Sequence, residues 1–274
     1  MQAANATLQR FLDAIADPAR PKLNMDSAAA VVAHPDDETI GCGALLTRLP
    51  RAYVIVITDG APRDLADAYM HGFETAEAYA HARTAELQAA VRTAGLAPDR
   101  VIQLGIPDQQ AALSLRSISS RIAGFFAGWR TEIVLTLAYE GGHPDHDAAA
   151  FCVHQAAQRS GRNIDILEMP LYRAGDYGAV NQCFMPGSRE PIALDLTPEE
   201  QALKRRMVAA YSTQKNVLAG FSLEREQFRV APEYDFRELP NGGNVLYDRE
   251  PWGVNSHAWR RCVEEALAAE FAPP

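Results

Sequence analysis

Two short segments concentrate the groups that could carry chemistry. Ala33-His34-Pro35-Asp36-Asp37-Glu38 and Gly141-Gly142-His143-Pro144-Asp145-His146-Asp147 hold three of the seven histidines and five carboxylates. His34 and Asp37 stand three residues apart, where a turn entering a helix can aim both side chains at one point. His146 supplies a third donor from the second segment. Two imidazoles and one carboxylate, with a position left open, make a catalytic zinc arrangement. Iron(II) or another divalent metal tolerates the same set. Asp36 would then lie beside the metal, where a free carboxylate can take a proton from water that the cation has acidified. His143 can hydrogen-bond an oxyanion or protonate a leaving group. Asp145 can orient that ring. Each His-Pro-Asp taken alone is also a way to begin a helix, with Asp as cap and Pro in the first turn. Two such segments, each after a strand, argue for function.

The elements that must bring them together are legible as alternating runs. Short apolar strands at 28–33, 52–57, 101–104, 133–137 and 164–168 alternate with helical stretches at 39–49, 81–94, 115–129 and 144–159. Unbroken apolar strands separated by helices indicate a parallel sheet covered on both faces. The expected fold is α/β, a Rossmann-like open, mostly parallel sheet with helices on both faces. Strand order 3-2-1-4-5 places strands one and four side by side, so the two segments meet at the switch point. Gly41-Cys42-Gly43 follows strand one but lacks the third glycine of a dinucleotide fingerprint. These glycines are expected to permit close helix packing. The remainder, 170–274, reads as a smaller strand and helix elaboration that shapes the substrate pocket. It holds loops or short strands over 170–196 and a helix from Thr197-Pro198-Glu199-Glu200, a capping box, to about 213. An irregular stretch over 221–252 and a final helix over 256–271 follow. One domain, 1–274, is expected, with a helical leader over 1–26.

Composition narrows the partners. The chain has 274 residues, 47% hydrophobic and 22% charged, with 26 Lys and Arg against 35 Asp and Glu, a net charge of −9. That balance argues against nucleic acid or an anionic membrane, which need a basic field. Lys204-Arg205-Arg206 reads as a solvated helix face. The four cysteines form no CxxC pair, which points to reduced thiols and a cytoplasmic location. No segment reaches the roughly 20 apolar residues of a membrane span. Leu8, Phe11, Leu12 and Ile15 follow helical spacing rather than that of a secretory signal. A homo-oligomer stays open.

The two segments, AHPDDE at Ala33–Glu38 and GGHPDH at Gly141–His146, resemble the signatures of the LmbE-like, or PIG-L, zinc-dependent deacetylases. The resemblance extends over about 28–154. It implies removal of an N-acetyl group from an N-acetylglucosamine-type amino-sugar conjugate, with His34, Asp37 and His146 as zinc ligands. It also implies Asp36 as general base and His143, backed by Asp145, as the group that stabilises the tetrahedral intermediate. Arg63, after Thr58-Asp59-Gly60, and Asp108, in Gly105-Ile106-Pro107-Asp108, match positions that contact substrate. Arg83 and Glu86 have a family spacing that is equally that of an i, i+3 ion pair. Tyr211-Ser212-Thr213-Gln214 resembles a Tyr-x-Ser-Gln element, with Thr213 in place of Ser. Gly141 stands where the mycothiol-pathway branch has an aromatic residue, which argues against a mycothiol precursor. The rival readings are an amidase for another N-acyl amine, a metal-dependent phosphoesterase, and a metal-binding protein without chemistry. A spare carboxylate at Asp36 speaks against the last.

Overall fold

The computed structural model describes residues 6–187 and 189–268. The apolar runs form β1 (Ala28–Val32), β2 (Tyr53–Pro62), β3 (Val101–Asp108), β4 (Ile133–Leu137) and β5 (Asp165–Met169). β1 and β4 are buried along their whole length, because helices cover both faces. These helices are α1 (Ala6–Ala16), α2 (Asp37–Arg48), α3 (Ala66–Met70), α4 (Ala76–Thr93), α5 (Leu115–Trp129) and α6 (Pro144–Arg159). The chain continues through β6 (Tyr172–Ala174), β7 (Ala179–Asn181), β8 (Ile192–Asp195), α7 (Pro198–Ala209), α8 (Lys215–Leu218), β9 (Arg225–Val230) and α9 (Ser256–Ala268). The main sheet has seven strands in the order β3-β2-β1-β4-β5-β9-β8. The first five pair parallel, and β9 and β8 are added antiparallel. One apolar cluster runs from Leu8 to Ala266. Among the described residues, no helix is long and apolar enough to cross a membrane.

Several expectations shift. β2 and β3 outrun the apolar stretches and carry Pro62 and Asp108 to the carboxyl edge of the sheet. α4 starts five residues before the expected 81, where the Thr75 side chain accepts from the Ala78 amide. The part of the final helix expected beyond Ala268 lies outside the described residues. β9 forms within the stretch expected to be irregular. Glu226 and Arg229, which fall on opposite faces of the strand, are both buried, so each covered face carries a charged residue and the strand does not look apolar in sequence.

The helix-face reading of Lys204-Arg205-Arg206 also needs correction. Arg205 and Arg206 are exposed, but Lys204 is fully buried. The cause lies in α2, which is kinked at Cys42 (φ −146°, ψ 22°). In a regular helix the Ala44 amide would bond the Ile40 carbonyl. Here the Ala44 amide donates to Glu226 at 2.7 Å and the Leu45 amide to the same carboxylate at 3.0 Å. Lys204 Nζ donates to the Ile40 carbonyl at 2.7 Å and to Glu226 at 2.7 Å. A buried ion pair is thus inserted into the gap in the helix. Close packing of the helix on the sheet also needs Gly41, since a Cβ there would fall 2.9 Å from Met169 Sδ.

Candidate active site

The carboxyl edges of β1 and β4 deliver the two motif segments to one crevice of about 160 Å³. After β1 the chain turns sharply. The His34 amide donates to Asp37 Oδ2 at 2.8 Å, and Asp36 takes φ 126°. The turn faces Asp37 toward both imidazoles. Its Oδ2 lies 3.5 Å from His34 Nδ1, and its Oδ1 lies 3.4 Å from His146 Nε2. One donor atom from each of the three residues lies within 4.8 Å of the others. Ligands about 2.0–2.2 Å from a tetrahedral zinc stand roughly 3.4 Å apart, so the spacing suits a shared cation. Asp36 points elsewhere, with Oδ2 2.9 Å from Arg83 Nη2.

The opposite edge of His34 meets more carboxylate. Its Nε2 lies 3.0 Å from Asp108 Oδ1 and 3.4 Å from Asp145 Oδ2. Neither approach has hydrogen-bond alignment, and His34 Nε2 and Asp108 Oδ1 are buried without such a bond. Asp145 accepts from the Gln109 amide at 2.6 Å and the Ala111 amide at 3.0 Å. It thereby ties the loop after β3 to the start of α6. Its carboxylate is 4.0 Å from His143 Nδ1, while its own amide donates to that nitrogen at 3.1 Å. His143 therefore accepts at Nδ1 and, when neutral, carries its proton on Nε2.

The charges agree with this arrangement. Burial alone would lower the His34 pKa, but Asp108, Asp145 and Asp37 raise it well above its ordinary range. Positive charge is therefore favoured at this point, which is what a cation site requires. Burial would raise Asp37, yet His146 and His34 hold it far below the usual carboxylate range. Burial pushes Asp36 up to about 6 against the pull of Arg83. Burial, with His34 nearby, holds His143 well below its usual value and so keeps it neutral.

Around the centre, Arg83 also donates to the Pro35 carbonyl and pairs with Glu86 at 3.4 Å. Glu86 accepts from Ser212 Oγ at 2.8 Å, the Thr213 amide at 2.9 Å and Thr213 Oγ1 at 2.7 Å. The i, i+3 pair thus exists and also fastens the segment at 211–214 to α4. Gln214, which lines the crevice, donates to the Tyr79 hydroxyl at 2.8 Å. Glu38 is buried beneath and accepts from Tyr211 at 2.5 Å and from the Asp36 amide at 3.0 Å. Asp108 lines the crevice, whereas Arg63 does not and pairs with Asp59 at 2.5 Å. Sequence reasoning missed Tyr172, Phe221 and Trp252, which line the same space. Tyr172 could have been anticipated, because it follows β5 at the edge where ligands bind in such sheets.

His34, Asp37 and His146 together should bind about one divalent cation per chain. His146→Ala should lose most of it, as elemental analysis of the purified variant would read. Full metal content in the variant would remove His146 from the ligand set.

Comparison with known proteins follows the same lines. Residues 29–157 match the PIG-L family model, described as GlcNAc-PI de-N-acetylase. A search of curated proteins finds no match. Among solved structures, the chain is similar to a deacetylase of the teicoplanin biosynthesis pathway, at 18% identity and TM-score 0.60, covering 76% of this chain and 98% of that one. It is also similar to an A40926 pseudoaglycone deacetylase, at 19% identity and TM-score 0.58, covering 76% and 99%. A conserved protein of Thermus thermophilus shares 20% identity at TM-score 0.54, covering 76% and 95%.

Proposed function

From the PIG-L domain that residues 29–157 carry, we propose that this protein is a zinc-dependent N-deacetylase acting on an amino-sugar conjugate. The observation that carries the reading is the group of half-buried His34 with buried Asp37 and His146, with the Asp36 carboxylate and a neutral His143 on the same crevice. His34, Asp37 and His146 would hold a divalent cation, which would supply Lewis acidity to the acyl carbonyl and lower the pKa of water. Asp36 accepts the proton of the attacking water. A carboxyl raised to about 6 is well matched to that task near neutral pH. Arg83 fixes its direction through the 2.9 Å contact. His143 donates from Nε2 to the oxyanion, and its neutral state keeps that proton available. Asp108, which lines the crevice and has its Oδ1 turned to His34 Nε2 at 3.0 Å, accepts from a sugar hydroxyl.

A second reading, an amidase for a longer or more apolar acyl group, draws on the apolar wall of Ile40, Leu171, Leu218 and Phe221. Acetate release separates the two. The zinc-loaded protein should deacetylate N-acetylglucosamine conjugates in preference to N-acetyl alkylamines and N-hexanoyl sugars. Asp108→Ala should weaken turnover of the sugar by on the order of 10-fold or more, with unchanged metal content. A buried group left without its hydroxyl partner makes such a site selective. Equal turnover of simple N-acetyl amines would sink the amino-sugar assignment, and preference for hexanoyl would favour the second reading.

A further inference from the structure

The crevice is bordered by a protic group that neither motif supplies. Tyr172 opens β6, directly after the turn that leaves β5. Its backbone is held against the second motif. A Cβ on Gly142 would lie 2.2 Å from the Tyr172 carbonyl oxygen, so only glycine at 142 allows this approach. Across the hairpin, Tyr172 is in register with Asn181. The side chain is placed as firmly. Its ring centroid lies 4.9 Å from that of His146, tilted by 58°, and 6.3 Å from that of Phe221.

Tyr172 borders the crevice beside His34, Asp36, Asp37, His143 and His146. Tyr172 is half-buried, and no hydrogen bond to its hydroxyl forms among the described residues, so the group is free to meet a ligand in the crevice. Two other donors of this crevice are already committed. Arg83 is held by Asp36 and Pro35, and Gln214 donates to Tyr79 and Thr213. A phenol, whose ordinary pKa is about 10, is a neutral donor near pH 7.

We propose that Tyr172 is a catalytic residue that donates a hydrogen bond from its hydroxyl to the acyl oxygen as negative charge develops there. It acts from the His146 side while His143 acts from the other. The phenol keeps its proton throughout, so the step is electrostatic, and the leaving amine takes the proton that Asp36 accepted from water as the C–N bond breaks. This assignment rests on the deacetylase reading and adds a second donor to it. It also gives the C-terminal part of the chain a share in the chemistry, in addition to its share in the pocket walls.

The test is Tyr172→Phe, which removes one hydroxyl that holds nothing else in place. Its metal content and melting temperature should equal those of the wild type. Its kcat for acetate release should fall on the order of 10²-fold, the scale of losing one oxyanion donor. A structural role would not separate ligands by geometry, so binding gives a second readout. Affinity for a tetrahedral mimic, the methylphosphonamidate of glucosamine, should fall by a similar factor. Affinity for the product glucosamine should stay unchanged. Wild-type kcat together with wild-type mimic affinity in Tyr172→Phe would overturn the assignment and leave the deacetylase reading standing. If the wild type itself released no acetate from any N-acetyl substrate, both would fall.

Discussion

Asp36→Asn should bind metal as the wild type does and release acetate on the order of 10²–10⁴-fold more slowly. The substitution keeps size and shape but removes the proton acceptor. Asp36 and Asp37 are adjacent, yet the turn separates them. Asp37 faces His34 and His146 at 3.5 and 3.4 Å, while Asp36 turns to Arg83 at 2.9 Å. Loss of charge at Asp37 should therefore appear first as weakened metal binding, partly cured by excess metal. Loss of charge at Asp36 should appear as a kcat defect that added metal leaves untouched. Metal affinity and kcat measured side by side on Asp36→Asn and Asp37→Asn decide the matter. A metal-curable defect in Asp36→Asn, or turnover near the wild-type rate, would move the proton to His143.

Glu226→Ala should cost about 3–5 kcal/mol of folding stability, the range for removing one partner of a buried ion pair. For a chain of this size that is a fall in Tm of roughly 6–20 °C. The carboxylate holds Lys204 and the two amides released at the Cys42 kink. Alanine would leave all three donors buried, with only the Ile40 carbonyl to receive Lys204. Lys204→Met should cost less, because Glu226 would keep its two amide donors. Chemical denaturation of both variants reads the difference. A Tm within about 2 °C of wild type for Glu226→Ala, well short of the fall expected for a broken buried pair, would show that the kink does not depend on the pair. The site should feel the change too, since the half of α2 before the kink begins with Asp37 and runs to Ile40 at the crevice.

The central strands and the two motifs were readable because each carries a local pattern. β1 and β4 are continuous apolar runs, and the His-Pro-Asp segments fall where an open parallel sheet presents its ligands. Order 3-2-1-4-5 then sufficed to bring His34 and His146 together. What stayed hidden depends on distant partners. β9 reads as polar because Glu226 and Arg229 are buried on its two faces, and they can be so only because Lys204 meets one at 2.7 Å and Glu168 meets the other at 2.8 Å. Lys204 itself looked solvated because nothing near it in sequence announces the kink at Cys42. Arg63 follows a motif-like stretch but pairs locally with Asp59, an i, i+4 contact that spacing allows. Trp252 carries no motif, and its neighbour His143 is visible only once the chain is folded; Tyr172 is signalled only by its place after β5, and its contact with His146 is not.

Asp36 adopts φ 126°, a backbone state that glycine enters far more cheaply than a residue with a Cβ. Holding a side chain there costs of order 1–3 kcal/mol. Three contacts keep it in place: its amide on Glu38, its carboxylate on Arg83, and Arg83 on the adjoining Pro35 carbonyl. The carboxylate is consequently aimed by the main chain, and little rotational freedom remains to be lost when substrate arrives. Orientation is settled once, when the chain folds, and every later turnover starts from it. Thermal robustness and speed are opposed at this one residue, since the change that relaxed the turn would also remove the carboxylate proposed as the base.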